Sequence, residues 1–364
     1  MFRYFMPTEI LVGEHVLEQH ADALILGKKA MIITGKSSGK QSGALNDVLA
    51  ILKEKQIGSV VYDQIENNPS LACVRAAGKA ARDTRADFII AIGGGSPLDS
   101  AKAAAVFAVN DIEPMQIFSG TYPNRPLPIA AVPTTAGTGS EVTPYSILTL
   151  HDAGTKRSFT SKEVFPKVAF LDGRYTMGLP LQIARNTAID AMSHAIEGYL
   201  NRKSSPASDP MALEALRLIG RHLPALKNGQ FTVESCTDLL WASSLAGIVI
   251  SQTGTTIVHS MGYQLTYCKD VPHGMANGLL LGAFLEWCQN ECAQKIQQIL
   301  DALNLPNLAA LQNELRILLP HPYTFEKEEL AEWVNVSIQA KNIATAPKPV
   351  TAIDEFTLYC QSLL

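Results

Sequence analysis

The chain has 364 residues, 47% hydrophobic and 18% charged, which suits two globular domains with a generous core. Its formal net charge is -4 and it carries no Lys/Arg run, so nothing invites nucleic acid or an anionic membrane as a partner. The opening MFRYFMPTEILVG has no long apolar run and no stretch of eighteen consecutive apolar residues occurs, so neither a secretory signal nor a membrane anchor is expected.

The first half alternates strand and helix patterns. Residues 30–34, AMIIT, form a short apolar run ended by Gly35 and predict a buried strand. Residues 43–55 carry Leu45, Val48, Leu49, Ile51 and Leu52 at helical spacing. A second strand is expected at 59–62. The chain then breaks at Asn67, Asn68 and Pro69, and Ser70 is suited to cap the next helix. A third strand, DFIIAI, spans 87–92. This alternation predicts an α/β domain whose parallel sheet is covered on both faces.

The third strand runs into Gly93, Gly94, Gly95 and Ser96, followed by Pro97, Leu98, Asp99 and a helical pattern. Glycines between a strand and a helix let backbone approach a phosphate, and the helix N-terminus supplies N–H donors. The same glycines would also serve a plain tight turn. They follow the third strand rather than the first, so the ordinary GxGxxG dinucleotide fingerprint is not assigned. A further strand at 128–132 leads into PTTAGTGSEVTPYSI, where Thr134, Thr135, Thr138, Ser140 and Thr143 crowd hydroxyls onto a glycine-containing loop. Such a loop can bond a nucleotide and its ribose, or be an ordinary polar surface loop. Residues 144–160 read as a hairpin turning at Asp152, Ala153 and Gly154 and carrying Lys156 and Arg157, and 168–172 as a last strand.

From about Leu179 onward Ala-, Leu- and Met-rich helical patterns take over, which predicts two domains, 1–178 α/β and 179–364 all-α. The helical half concentrates candidate metal ligands. In NTAIDAMSHAIEGYL, Asp190 and His194 stand four apart and share a helix face. Further on, His259 lies in a small-residue apolar stretch, and His273 follows a turn at Lys269, Asp270, Val271 and Pro272. One carboxylate and three imidazoles make a donor set for iron(II), zinc, cobalt or nickel. Each piece has an ordinary reading as well, a satisfied core histidine or a surface Asp–His pair, and spacing alone leaves both open. The six cysteines, Cys73, Cys236, Cys268, Cys288, Cys292 and Cys360, form no CxxC pair; without a signal they fit a reducing, cytoplasmic setting.

Taken together, GGGSPLDSAK, PTTAGTGSEVTPYS, DAMSHAIEGYL and VHSMGYQ with PHGMANG resemble the iron-containing (group III) alcohol dehydrogenases. The likeness covers nearly the whole chain and is greatest to the 1,3-propanediol and NADP-linked alcohol dehydrogenase branch. It implies a dehydroquinate-synthase-like fold: an N-terminal α/β dinucleotide-binding domain and a helical metal-binding domain. By the resemblance, Asp190, His194, His259 and His273 hold the metal through which catalysis runs, iron(II) ahead of zinc. The pyrophosphate loop falls on Gly94, Gly95 and Ser96, with Asp99 near the nicotinamide end. Thr134, Thr135, Thr143 and Lys156 fall along the cofactor groove, and Asn68 beside the adenosine. The chain departs from the pattern at Tyr263, where many members carry a second histidine near the substrate. The Tyr263 hydroxyl or the cofactor ribose would then replace it in proton transfer.

The implied activity is hydride transfer between a nicotinamide cofactor and a small primary alcohol or diol, such as 1,3-propanediol. Tyr263, Met275, Phe284 and Trp287 are the apolar lining candidates. NADP(H) is expected over NAD(H). Many NAD-using members place an Asp after the first strand to bond the ribose hydroxyls; Gly35 stands there, followed by Lys36, Ser37, Ser38 and Lys40. A homo-oligomer, a dimer or a multiple of it, is the family expectation. A polyol dehydrogenase, another dehydroquinate-synthase-like enzyme and a nucleotide-binding sensor without turnover are the alternatives.

Overall fold

The computed structural model describes residues 1–153 and 155–364. Contacts divide the chain into two compact units. One comprises Met6–Leu179 with Thr232–Ser244; the other comprises Met1–Phe5, Pro180–Phe231 and Leu245–Leu364. Side-chain bonds explain the two short stretches. Phe5 exchanges hydrogen bonds with the Gln252 side chain, and Ser244 Oγ donates to Glu141 Oε1 at 2.6 Å.

The first unit is built on a six-stranded parallel sheet. Its strands are β1 (Glu9–Val12), β2 (Lys29–Gly35), β3 (Gly58–Ile65), β4 (Phe88–Gly93), β5 (Ile129–Pro133) and β8 (Val168–Leu171), in the order β1-β8-β5-β4-β2-β3. An antiparallel pair, β6 (Tyr145–Leu150) and β7 (Thr155–Thr160), forms the expected hairpin; Gly154 of its expected turn lies outside the described residues. Every residue of β4, FIIAIG, is buried, as befits a central strand covered on both faces. Helix α1 (Ala44–Glu54) buries Leu45, Val48, Ile51 and Leu52 against Ile32, Phe88 and Ile90. Helix α2 (Leu71–Asp83) starts where Ser70 Oγ accepts from the Cys73 N–H. Helix α3 (Gly95–Val109) follows β4 directly. The strand β1, EILV, was not expected from the sequence. Four residues at a sheet edge, two of them exposed, are too few to show a period.

The order places β2 between β3 and β4, so the chain leaves β2 to one side and returns to the other. In open parallel sheets ligands collect outside the carboxyl ends of the strands at such a reversal. Here those ends are Gly35 of β2 and Gly93 of β4.

The second unit is helical. Its helices include α4 (Leu181–Leu200), α5 (Asp209–Asn228), part of α6 (Val233–Thr253), α7 (Ile257–Lys269), α8 (His273–Trp287), α9 (Gln289–Ala302), α10 (Leu308–Leu318), α11 (Lys327–Ser337) and α12 (Ala352–Leu363). Helix α6 is long and apolar enough to cross a membrane by length and composition, but it carries Glu234 and Asp238 and most of its apolar window is buried, as in a core helix. Helix α4 buries every residue from Ala188 to Leu200, including Asp190, His194 and Glu197. Asp270, in a left-handed conformation, ends α7, and Pro272 precedes α8, so the turn between the two histidine segments forms as the sequence indicates. All six cysteines are free.

Glu355, on α12, has no exposed surface. The Ser337 hydroxyl donates to its Oε2, while its Oε1 has no hydrogen-bond partner among the described residues. Burial pushes this carboxyl up to about 7, against the weaker opposing effect of Ser337. The folded chain therefore holds more protons than the unfolded one between about pH 4.5 and 7, so Glu355 makes stability fall as pH rises through that window and stay level above it. Glu355→Gln should flatten this slope and raise stability at pH 8, by about 3.5 kcal/mol at most at about 1.4 kcal/mol per pKa unit. Urea melts of both proteins at pH 5 and pH 8 check it; parallel pH slopes would show that the buried carboxyl ionises at its ordinary value.

Candidate active site

The α/β unit gathers most of its candidate residues around the β4–α3 junction. Gly93 has φ +145°, a conformation that only glycine adopts readily, and a Cβ there would also meet Pro97 at 2.6 Å. The next two glycines face the threonine loop. A Cβ on Gly94 would stand 3.0 Å from Thr135 Oγ1, and one on Gly95 would stand 2.7 Å from Thr138 Cγ2. The Thr134 N–H donates to the Gly93 carbonyl at 3.0 Å, binding the loop to the strand end. Ser96 Oγ accepts from the Asn68 N–H at 3.2 Å, and Lys156 Nζ donates to Asn68 Oδ1 at 2.9 Å. Asn68, Ser96 and Lys156, far apart in sequence, thus form one connected edge.

Two other expected cofactor residues brace this loop from within. Asp99 accepts from Ser140 Oγ and, at 2.8 Å, from the Ile147 N–H. The Thr143 hydroxyl is buried and takes a 3.3 Å bond from Lys102 Nζ. Lys102 has no exposed surface and also donates to Ser140 Oγ and the Tyr145 carbonyl, each at 2.7 Å. Burial lowers its pKa, against the pull of Asp99 and Glu141. A fully bonded buried ammonium of this kind pins the loop and β6 to α3. At the β2 end, Lys36 and Ser37 are exposed, Ser38 and Gly35 are half-buried, and Lys40 pairs with Asp63 at 3.0 Å.

In the helical unit Asp190, His259 and His273 converge. One donor atom from each lies within 4.8 Å of the others, and Asp190 Oδ1 is 3.8 Å from both His259 Nε2 and His273 Nε2. His194 stands one turn beyond Asp190, its ring stacked on that of His259 with centroids 4.5 Å apart. Its charged form would lower the Asp190 carboxyl, so it belongs to the same neighbourhood. Asn277 Nδ2 faces all three ligand atoms, 2.9 Å from Asp190 Oδ1, 3.1 Å from His259 Nε2 and 3.3 Å from His273 Nε2. The opposite amide orientation would set its carbonyl oxygen against the Asp190 carboxylate. An amide nitrogen only donates, so both ring nitrogens must meet it with lone pairs. A hydrogen-bond donor and a cation ask the same of these three atoms, and the site therefore fits a divalent metal.

Behind the cluster lies Glu197, without exposed surface. Its Oε1 accepts from the Thr256 N–H at 2.8 Å, the Thr256 hydroxyl at 2.6 Å and the Val258 N–H at 3.0 Å, while its Oε2 meets His259 Nδ1. Burial would raise both carboxyls, but the neighbouring imidazoles outweigh it and leave Asp190 and Glu197 below the ordinary carboxylate range. For His259 burial works downward, and Glu197 and Asp190 carry the balance upward. Neither Glu197 nor Asn277 emerged from the sequence as a site residue. A signal existed for each: Glu197 continues the Asp190 and His194 face one turn on, and Asn277 stands four residues after His273.

The lining expectation is corrected in part. Tyr263 does stand at the cluster, its ring 5.3 Å from that of His273 and tilted by 12°. Phe284 and Trp287 sit on the same helix as His273 but about 16 and 21 Å along its axis, at 1.5 Å per residue. Trp287 bonds Asp354 instead. Apolar composition alone does not say how far along a helix a residue lies.

Residues 7–173 match the family profile described as iron-containing alcohol dehydrogenase, and residues 184–362 match its C-terminal counterpart. The chain is 34% identical over 286 residues to a 1,3-propanediol dehydrogenase of Citrobacter freundii, covering 77% of this chain and 74% of that one. It is 31% identical over 311 residues to an NADPH-dependent butanol dehydrogenase of Clostridium saccharobutylicum, covering 84% and 79%. The crystal structure of an iron-containing alcohol dehydrogenase from Thermotoga maritima superposes with a TM-score of 0.92 at 39% identity, covering 100% of this chain and 99% of that one. The chain belongs to the iron-containing alcohol dehydrogenase family and is an oxidoreductase that acts on alcohols with a metal and a nicotinamide nucleotide.

Proposed function

We propose that this protein interconverts a small primary alcohol or diol, of the 1,3-propanediol kind, and its aldehyde, with NADP(H) preferred over NAD(H) and iron(II) ahead of zinc as its metal. The observation that carries the reading is the convergence of Asp190, His259 and His273 on one point. Relatives that act on 1,3-propanediol and, with NADPH, on butanol support the substrate size and the cofactor.

When bound, a divalent metal supplies Lewis acidity to the substrate oxygen, and the nicotinamide accepts or returns a hydride. The chain's residues do the rest. Asp190 and the neutral imidazoles of His194, His259 and His273 form the donor set, whose single negative charge leaves a divalent site positive toward an anionic oxygen. His194, one helical turn from Asp190 and stacked on His259, is the fourth member. The alcohol loses a hydride from carbon and a proton from oxygen. A phenol stacked beside His273 makes the Tyr263 hydroxyl, with the cofactor ribose, the candidate to relay that proton.

Asp190→Asn and His273→Ala should each purify with little bound iron or zinc and lose at least a hundredfold in kcat/KM, while circular dichroism keeps the helical signal. Elemental analysis beside the NADPH assay at 340 nm is the check. A His273→Ala protein with full metal and full activity would sink the assignment.

The cofactor preference rests on the end of β2. No carboxylate stands at Gly35 to repel a 2′-phosphate, and Lys36, Ser37 and Ser38 offer positive charge and donors. Lys40 contributes less freely because Asp63 shares its charge. The backbone tolerates a test here, since a Cβ on Gly35 would meet only Ser38 Oγ at 3.2 Å and two atoms at 3.9 Å. Gly35→Asp should lower the NADP/NAD ratio of kcat/KM by about tenfold or more, equivalent to about 1.4 kcal/mol. Steady-state kinetics with both cofactors decide it; a wild type that prefers NAD, or an unmoved ratio in the variant, would remove this loop from cofactor choice.

A further inference from the structure

We infer that Glu197 is a positioning residue that fixes the tautomer of His259, holding the ring proton on Nδ1 so that the Nε2 lone pair faces Asp190 and His273. The inference rests on the metal reading above and concerns how this chain prepares one of its ligands.

Both edges of the His259 ring carry a contact that depends on the tautomer. On one side of the ring, Asn277 Nδ2 stands 3.1 Å from His259 Nε2 and 2.9 Å from Asp190 Oδ1. Its nitrogen can only donate, so Nε2 must accept and the ring proton belongs on Nδ1. On the other side, Nδ1 meets Glu197 Oε2, an acceptor placed where that proton points. The contacts on the two edges of one imidazole require the same tautomer. A second carboxylate oxygen behind a ligand histidine orients the ring and makes it a better base.

The placement of Glu197 is over-determined. Its Oε1 takes three bonds, from the Thr256 N–H, the Thr256 hydroxyl and the Val258 N–H. Two of these are backbone donors at the start of α7, the end of a helix that favours negative charge. The carboxylate of α4 thus anchors the first turn of α7 with one oxygen and addresses His259, in that same turn, with the other. A purely structural role would stop at the first oxygen.

Glu197→Gln separates the two roles. Its carbonyl oxygen must replace Oε1, because an amide NH2 there would face three donors. The NH2 group then replaces Oε2 and donates to His259 Nδ1, which moves the ring proton to Nε2, the atom needed by a cation. The test uses metal-free wild-type and Glu197→Gln chains, titrated with Co2+ against a competing chelator, together with melting curves and 15N-histidine NMR. Expected are a melting temperature close to wild type, exchanged Nδ1 and Nε2 signals for His259, and Co2+ affinity lower by about 10- to 100-fold. Unchanged histidine signals, or Co2+ bound as tightly as by wild type, would overturn the inference. So would an affinity loss that follows a collapse in melting temperature with the tautomer unaltered, since Glu197 would then only anchor α7. A wild type that binds no Co2+ would overturn the metal reading itself and this inference with it; a wild type that binds and a variant that matches it would overturn the inference alone.

Discussion

Two buried carboxylates, Asp190 and Glu197 on α4, set the terms for the helical unit. Removing an ion from water costs several kcal/mol unless partners repay it, and each charged hydrogen bond returns about 1.5–3 kcal/mol. His259 of α7 pairs with both, and His273 of α8 pairs with Asp190. Glu197 adds the Thr256 and Val258 donors, and Asp190 adds the Asn277 amide. These bonds tie the starts of α7 and α8 to the middle of α4. A slip of one turn along α7, about 5.4 Å, would leave a charge unpaired, so the requirement that satisfies the carboxylates also brings His259 and His273 to one point.

The α/β unit positions its residues mainly through backbone geometry. The left-handed φ of Gly93 and the short β4–α3 connection bring a helix N-terminus to the point where the sheet order reverses. Close approach of Gly94 and Gly95 to Thr135 and Thr138 means that the glycines make room for the threonine loop as well as for any phosphate. A bulky residue at Gly95 would displace Thr138 first, so loss of cofactor binding in such a variant would not by itself identify a phosphate contact. Lys102, buried and fully bonded, keeps that loop in register with α3 and β6.

The two kinds of residue differ in how firmly they are held. Asp190, His259, Glu197 and Asn277 are buried and joined by hydrogen bonds, so a change in one alters its neighbours. Lys36, Ser37 and Lys40 stand exposed, where an ion pair contributes about 0–1 kcal/mol and few contacts resist substitution. The proposed metal donors sit in the constrained set and the proposed cofactor-choice residues in the permissive one.

By itself the sequence determined the alternation of strand and helix, the change to helix near Leu179, and the residue types of the donor set. These follow from local rules: apolar runs of strand length, apolar spacing of helical period, and a four-residue interval that puts Asp190 and His194 on one face. It missed β1, whose four edge residues carry too short a pattern. Only tertiary structure decided which groups meet. Asn68 reaches Ser96 and Lys156 across the fold, Phe284 and Trp287 lie too far along α8 to stand beside His273, and the His194 ring stacks on that of His259. Glu197 and Asn277 acquire their part only when three helices pack, because the donors around a buried carboxylate come from segments some sixty residues or more away, and no local period records that distance.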